Sequence, residues 1–286
     1  MCDLSIIIVS YNNWNVLQDC LRSIMKTNDI GEKQEVIVVE QSPQDSIYEG
    51  VKQEFPWVKL LRAENKGFGA GNNRGFEVSH GKFVLFLNPD TILIEPISRY
   101  AVDKFESDDS LGVFGLQLRD AQKKKTESFN VNIPYGFWNK LLFYVCLPLG
   151  LFIEKKMYIQ GADIFIRSEL FDSVGRFDEN VFMYGEEPDL CTRVIKKGYH
   201  VRFDPSRSIV HLQGACSPNN YTVSFGKKVE AFKYFCQKNN YPFQSYVHSE
   251  IAFQKTKQLI LGVLGRKQST QYSLSKAIVD VLKNYR

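Results

Sequence analysis

The chain has 286 residues, of which 44% are apolar and 24% charged. That length buries a full core without staples and fits one large α/β domain or two small ones. A net charge of +4, with no arginine-rich face or aromatic–basic reader motif, argues against a nucleic-acid partner.

Met1-Cys2-Asp3 leads straight into a strand pattern, so no signal peptide is expected. The first predicted strand is Leu4 to Val9, and its polar tip is Ser10-Tyr11-Asn12. Trp14 to Lys26 follows with apolar residues at helical spacing and Asn13 as an expected N-cap. Glu35 to Val39 is a second buried strand, closing on Glu40-Gln41-Ser42, and Val58 to Leu61 a third. A Gly/Asn-rich loop with a short helix fills Gly67 to Gly81. The fourth strand, Phe83-Val84-Leu85-Phe86-Leu87, stops on Asn88-Pro89-Asp90. Five consecutive apolar residues read as a strand buried on both faces, and Pro89 ends it because proline donates no ladder hydrogen bond.

Ile97 to Glu106 is a predicted helix and Val113 to Leu118 another strand, whereas residues 119–160 read as irregular. The pattern resumes with strand Ile164 to Ile166, helix Ser168–Val174, an acidic cluster and helix over Phe182 to Gly198, and strand Val201 to Phe203. Residues 221–286 read as helical. Strand, polar tip and helix in alternation predict a parallel sheet with right-handed crossovers. The tips at Ser10–Asn12, Glu40–Ser42, Asn65–Asn73 and Asn88–Asp90 should then converge along one edge.

Three segments carry candidate chemistry. Asp90 falls just past the carboxyl end of a central strand, where open α/β sheets hold ligands, and a carboxylate there suits a divalent cation bridging to phosphate. A turn aspartate is the bland reading. The second segment is Asn65-Lys66-Gly67-Phe68-Gly69-Ala70-Gly71-Asn72-Asn73-Arg74-Gly75. Its alternate glycines are expected to supply positive φ and close backbone approach to a ligand. A nicotinamide fingerprint would need Gly at position 72, where Asn stands, so a nucleotide-sugar cradle fits better than an oxidoreductase. The third is Phe182-Met183-Tyr184-Gly185-Glu186-Glu187-Pro188-Asp189. Pro188 and Asp189 suit a helix start, while crowded carboxylates under aromatic cover can have pKa values raised into the range of a general base.

These motifs, in this order, resemble a family 2 glycosyltransferase. The likeness spans residue 4 to about 214 and includes Gly161-Ala162 and Gly175-Arg176-Phe177-Asp178-Glu179. The rhamnosyltransferase-like branch of polysaccharide and O-antigen assembly is the most similar. The resemblance implies an α/β GT-A fold: a Rossmann-like, mostly parallel central sheet flanked by helices. It covers residues 1–215, with 216–286 as a helical C-terminal extension packed on it. It implies an inverting transferase, a dTDP- or UDP-linked sugar donor and a Mn2+ or Mg2+ cofactor.

Carried over by position, Ser10, Tyr11, Asn12 and Glu40 would contact the nucleotide. Lys66, Gly67, Gly69, Asn72, Asn73, Asn88 and Asp90 would complete the donor site, and Asp90 with His211 would face the metal. The family's Asp-Asn at the second strand end is Glu40-Gln41 here, and its Glu-Asp pair is Glu186-Glu187. The resemblance assigns the base to Glu187, with Glu186 and Asp189 as alternatives. The absent QxxRW signature implies one sugar per event.

The longest apolar stretch, Leu141 to Ile153, contains Pro148 and Gly150 and is shorter than the roughly 20 residues a spanning helix needs. Flanked by Lys123–Lys125 and Lys155-Lys156, the aromatic segment 133–153 reads as an interfacial segment, a sheet-covering helix or a homodimer interface. The expected acceptor is a glycan on a lipid diphosphate. The expected location is the cytoplasm, peripheral on the inner face of the membrane. Cys2, Cys20, Cys146, Cys191, Cys216 and Cys236 lack metal spacing and read as reduced thiols. Beside the enzyme reading stand an inactive nucleotide-binding scaffold and the nicotinamide oxidoreductase.

Overall fold

The computed structural model describes residues 2–133, 136–212 and 221–286. In chain order the first half comprises β1 (Leu4–Ser10), α1 (Trp14–Thr27), β2 (Gln34–Glu40), α2 (Asp45–Glu54), β3 (Lys59–Arg62), α3 (Phe68–Phe76), β4 (Phe83–Leu87), β5 (Thr91–Leu93) and α4 (Ser98–Ser107). There follow β6 (Leu111–Arg119), β7 (Phe129–Val131), α5 (Phe137–Leu149), β8 (Met157–Ile159), β9 (Asp163–Arg167), α6 (Ser168–Ser173), α7 (Glu186–Lys196) and β10 (His200–His211). Three helices, α8 (Tyr221–Lys238), α9 (Phe243–Val263) and α10 (Thr270–Lys283), close the chain.

Eight strands form one sheet in the order β3-β2-β1-β4-β9-β6-β10-β5. The pairs β1–β2, β2–β3, β1–β4 and β6–β10 are parallel, whereas β9 and β5 run against their neighbours. The unbroken apolar runs are explained by burial on both faces, because alternate side chains of a strand point to opposite sides. Ile6, Ile8, Val38, Leu85 and Leu87 enter one layer of the core, while Ile7, Val9, Val39, Val84 and Phe86 enter the other. Helices α8, α9 and α10 build a smaller cluster around Val247, Ile251, Val279 and Leu282.

Several expectations need correction. Residues 119–160 are not irregular throughout: they contain the β7–β8 pair and α5. The local signal was weak because each of these strands is three residues long. Asn13 stands at the α1 N-cap without a side-chain capping bond; its Oδ1 accepts from Ser10 Oγ at 2.8 Å instead. The predicted strand at Val201–Phe203 is part of a longer one, β10, which runs to His211 and is interrupted by a register shift between Asp204 and Ser208. Pro205 lies in that interval and supplies no N–H to the ladder. The expected boundary at 215/216 and Cys216 lie outside the described residues, as do Pro134 and Tyr135 of the aromatic segment.

Candidate active site

The polar tips of β1, β2 and β3 are stitched together. Ser10 and Glu40 are in register on adjacent parallel strands, Gln41 N donates to Ser10 O at 2.9 Å, and Ala63 N donates to Glu40 O at 3.0 Å. Asn12, in the left-handed region at φ 52°, donates its N–H to Ser42 Oγ at 2.8 Å. These bonds leave Tyr11 exposed at the tip while Glu40 is buried. Glu40 Oε1 accepts from Ser42 N at 2.7 Å, and Oε2 is buried without a hydrogen-bond partner. A lone buried carboxylate oxygen is costly unless something completes it.

The fourth tip follows the same logic. Asn88 N donates to Ala162 O at 3.0 Å, which fixes the end of β4 against the loop preceding β9. Thr91 then enters β5 opposite His211, and Leu212 N donates to Asp90 O at 2.9 Å. This antiparallel pairing brings His211 Nε2 to 3.3 Å from Asp90 Oδ1, with both side chains largely buried. His211 Nδ1 is buried without a partner.

The acidic pair opens α7. Tyr184, just before it, adopts φ 73°, a conformation that bulky residues avoid and that structures retain mainly at working sites. Glu186 is buried, its Oε2 accepts from Gly185 N at 2.7 Å, and its Oε1 has no partner. Burial and the neighbouring Glu187 charge push its pKa up to about 8. Glu187 is partly exposed. Burial of its carboxyl raises its pKa too, opposed by backbone N–H groups that include Gly161 and by the charge of Lys228. A Cβ on Gly161 would stand 2.5 Å from Glu187 Oε1, so only glycine lets that peptide lie so close. The dipeptide Gly161-Ala162 therefore serves both halves of the site, with Gly161 against Glu187 and Ala162 holding Asn88.

Asp189 is engaged elsewhere. It pairs with Arg193 at 2.8 Å and with Lys238 of α8 at 2.9 Å. Lys238 also binds Asp178 at 2.6 Å, and that contact, with the Asn180 and Tyr234 hydrogen bonds, holds the Asp178 carboxyl well below the usual range. This network clamps α8 onto α7.

The glycine-rich segment differs from its expected form. It is mostly helix, and of Gly67, Gly69 and Gly71 only Gly67 has positive φ, at 106°. A Cβ at Gly67 would lie 2.2 Å from Phe182 O, whereas the glycines at 71 and 75 let α3 press onto Val9 and Ile7 of β1. The repeat thus encodes close helix–sheet packing, which brings the N-terminus of α3 beside the acidic loop: Phe68 N donates to Phe182 O at 3.0 Å. Asn73 is consumed in bonds to Phe177 and Glu179. Asn72 donates to Phe68 O, and its Oδ1 is buried without a partner. Lys66 is exposed and pairs with Glu64 at 3.4 Å.

Sequence reasoning missed the contribution of α8. Lys228 stands 4.9 Å from the centre of the Tyr184 ring, and Lys227 5.3 Å from that of Phe182. Adjacent lysines in an otherwise ordinary helix give no signal until the fold sets them beside the acidic loop. Of the cavities lined by described residues, one of about 430 Å³ lies between α3 and α7 and is lined by Arg176, Asp178, Arg193 and Lys238. It does not include Asp90 or Glu187.

Known proteins share this fold and part of this sequence. Residues 5–168 match the model of Glycosyl transferase family 2. The chain belongs to that family. It is 21% identical to the rhamnosyltransferase WbbL of Escherichia coli K12 over 256 residues, covering 82% of this chain and 92% of that protein. It is 23% identical over 213 residues to a poly-beta-1,6-N-acetyl-D-glucosamine synthase of Staphylococcus aureus, spanning 48% of the latter. Among solved structures, the mannosyltransferase PcManGT of Pyrobaculum calidifontis, in complex with GDP-Man and Mn2+, superimposes with a TM-score of 0.63 at 14% identity. That superposition covers 98% of this chain and 84% of the mannosyltransferase. GalNAc-T7 with UDP, GalNAc and Mn2+ gives a TM-score of 0.58 at 14% identity, covering 82% of this chain and 48% of that one. The fold is that of the GT-A glycosyltransferases, and by its family this chain is a glycosyltransferase.

Proposed function

We propose that this family 2 glycosyltransferase is an inverting, divalent-cation-dependent hexosyltransferase. It would move one rhamnose or similar sugar from a dTDP- or UDP-linked donor to a glycan acceptor in cell-surface polysaccharide assembly. The observation that carries the reading is the division of labour at the sheet edge. Asp90 and His211 form one pole, Glu187 the other, and Gly161-Ala162 braces both.

Asp90 and His211 fit a divalent cation. Oxygen and imidazole nitrogen are both suitable donors, and at 3.3 Å the two side chains are near enough to hold one ion between them. No cluster of three or more His, Cys, Asp or Glu forms a fuller cage among the described residues, which suits an ion completed by substrate phosphate and water. Such an ion, when bound, neutralises charge developing on the departing diphosphate.

Glu187 serves as the base. Asp189 is held between two cations, and Glu186 retains its proton up to about pH 8, so neither competes well. Glu187 takes the proton from the acceptor hydroxyl as the oxygen attacks the anomeric carbon, and a single displacement inverts that centre. Glu40 Oε2 and the exposed Tyr11 receive the nucleotide; Asn12, Lys66, Gly67, Gly69, Asn72, Asn73 and Asn88 shape the rest of the donor site. Residues 1–215 form the catalytic domain and 216–286 a helical extension that brings Lys228 to the acidic loop. The likeness to WbbL supports the rhamnosyl assignment. The acceptor is read as a glycan on a lipid diphosphate, met at the cytoplasmic face of the membrane. A thermal-shift panel of dTDP-, UDP- and GDP-sugars with and without Mn2+ tests the donor assignment. Stabilisation by a dTDP- or UDP-sugar only with Mn2+ supports it, and a preference for GDP-sugars or metal-independent shifts would overturn it.

A further inference from the structure

Charge is distributed unevenly along this sequence. No Asp or Glu occurs between Glu127 and Glu154, nor between Glu250 and Asp280. The fold brings these two acid-free segments together. Gly136 N donates to Ser249 Oγ at 3.4 Å, Lys140 pairs with Glu250 at 2.8 Å, and the Tyr144 and Phe253 rings lie 6.3 Å apart. The contacts advance in the same direction along both elements, so the C-terminal ends of α5 and α9 point to the same side.

Both ends are apolar and uncovered. Leu149 is 66% exposed, Leu259 69% and Val263 81%. Leu259 and Val263 are four residues apart and so lie above one another on one helix face, while Ile251 and Leu261 of the same helix are buried. Lys255, Lys257, Arg266 and Lys267 flank the α9 stripe in sequence, and Lys155 and Lys156 follow the end of α5. None of these six has an ion-pair partner among the described residues.

We propose that the C-terminal ends of α5 and α9 together form a surface that rests on an anionic lipid bilayer. An uncovered apolar stripe within a mostly basic rim, whose one nearby carboxylate, Glu154, is paired with Arg202 at 2.9 Å, matches a negatively charged interface, into which leucine and valine insert while lysine and arginine meet headgroups. A second copy of this chain would set the two basic rims against each other. No helix among the described residues is long and apolar enough to cross a membrane, so the surface lies on the bilayer. The aromatic segment read from sequence as interfacial is thus half of a two-helix surface. The proposal rests on the lipid-linked acceptor reading in that it sets the site where such an acceptor is found.

The test is flotation of the full chain with phosphatidylglycerol–phosphatidylcholine vesicles and with pure phosphatidylcholine vesicles. The full chain should float with the anionic vesicles only. Leu259→Ser/Val263→Ser and Lys255→Gln/Lys257→Gln should each weaken that binding by about tenfold or more, leaving thermal stability and donor hydrolysis unchanged because Leu259, Val263 and Lys255 are exposed, Lys257 is half-buried, and none of them belongs to the candidate active site. No flotation of the native chain, or unchanged flotation of both variants, overturns the proposal. Loss of self-association in the variants without vesicle binding would assign the surface to a homodimer instead. Donor hydrolysis and transfer to a detergent-solubilised acceptor are read separately, so a failure of the catalytic reading leaves a distinct signature.

Discussion

His211 Nε2 stands 3.3 Å from Asp90 Oδ1 because β5 and β10 pair antiparallel with His211 opposite Thr91. Residues 121 positions apart in sequence are thereby made neighbours by three backbone pairings. If the pair holds the donor's cation, Asp90→Ala should weaken Mn2+-dependent donor binding by about tenfold or more, the worth of one lost charged ligand. His211→Ala should act in the same direction. Isothermal calorimetry with and without Mn2+ reads this, and equal affinities in both conditions would remove the pair from that role.

The acidic pair makes stability depend on pH. Burial and Glu187 raise Glu186 from 4.5 to about 8, so the folded protein binds that proton more tightly than the unfolded chain does. The stabilisation is complete below pH 4.5 and fades as pH rises to about 8. Glu186→Gln keeps an acceptor for Gly185 N and removes the buried charge. Its Tm should exceed that of the native protein by about 2–4 °C at pH 8.5, with the gap closing toward pH 5. A constant gap across that range would contradict the assignment.

Gly161 is tested through its missing side chain. A Cβ there would meet Glu187 Oε1 at 2.5 Å and its Cγ and Cδ at 3.2 Å, so Gly161→Ala must displace the carboxylate. Misplacing a catalytic group by about 1 Å costs on the order of 100-fold in rate. The loss should appear in kcat, with the KM for donor little changed. A selective rise in donor KM would place Glu187 in donor binding.

Glu40 offers a buried oxygen with nothing to bind. If the nucleotide completes it, Glu40→Gln should lower donor affinity by about tenfold while leaving the Ser42 N–H bond to the remaining oxygen. Tryptophan-free detection by calorimetry suits the measurement, and unchanged affinity would refute the contact.

Much of this architecture was legible in the sequence because it rests on local rules. Runs such as Leu4–Val9 and Phe83–Leu87 are short, rich in β-formers and bounded by turn residues, which reads as strands buried on both faces, and Pro89 marks where one must stop. Convergence of the strand tips follows from parallel topology alone. The glycine repeat was legible as close approach but not as to what is approached: α3 packs on Ile7 and Val9, a tertiary fact. Asp189 shows the same limit, since its partner Lys238 is about fifty residues away and the pairing depends on how α8 docks. Lys228 and the exposed stripe on α9 carry no local signature, because their meaning comes from what the fold sets beside them.

Whether Glu187 removes the acceptor proton while Asp90 serves the donor is decided by Glu187→Gln. Sugar transfer and Mn2+-dependent donor affinity are measured on the same preparation. Transfer should fall by about 100- to 10,000-fold, the usual worth of a general base, with donor affinity within about twofold of the native protein. Transfer at the native rate would contradict it.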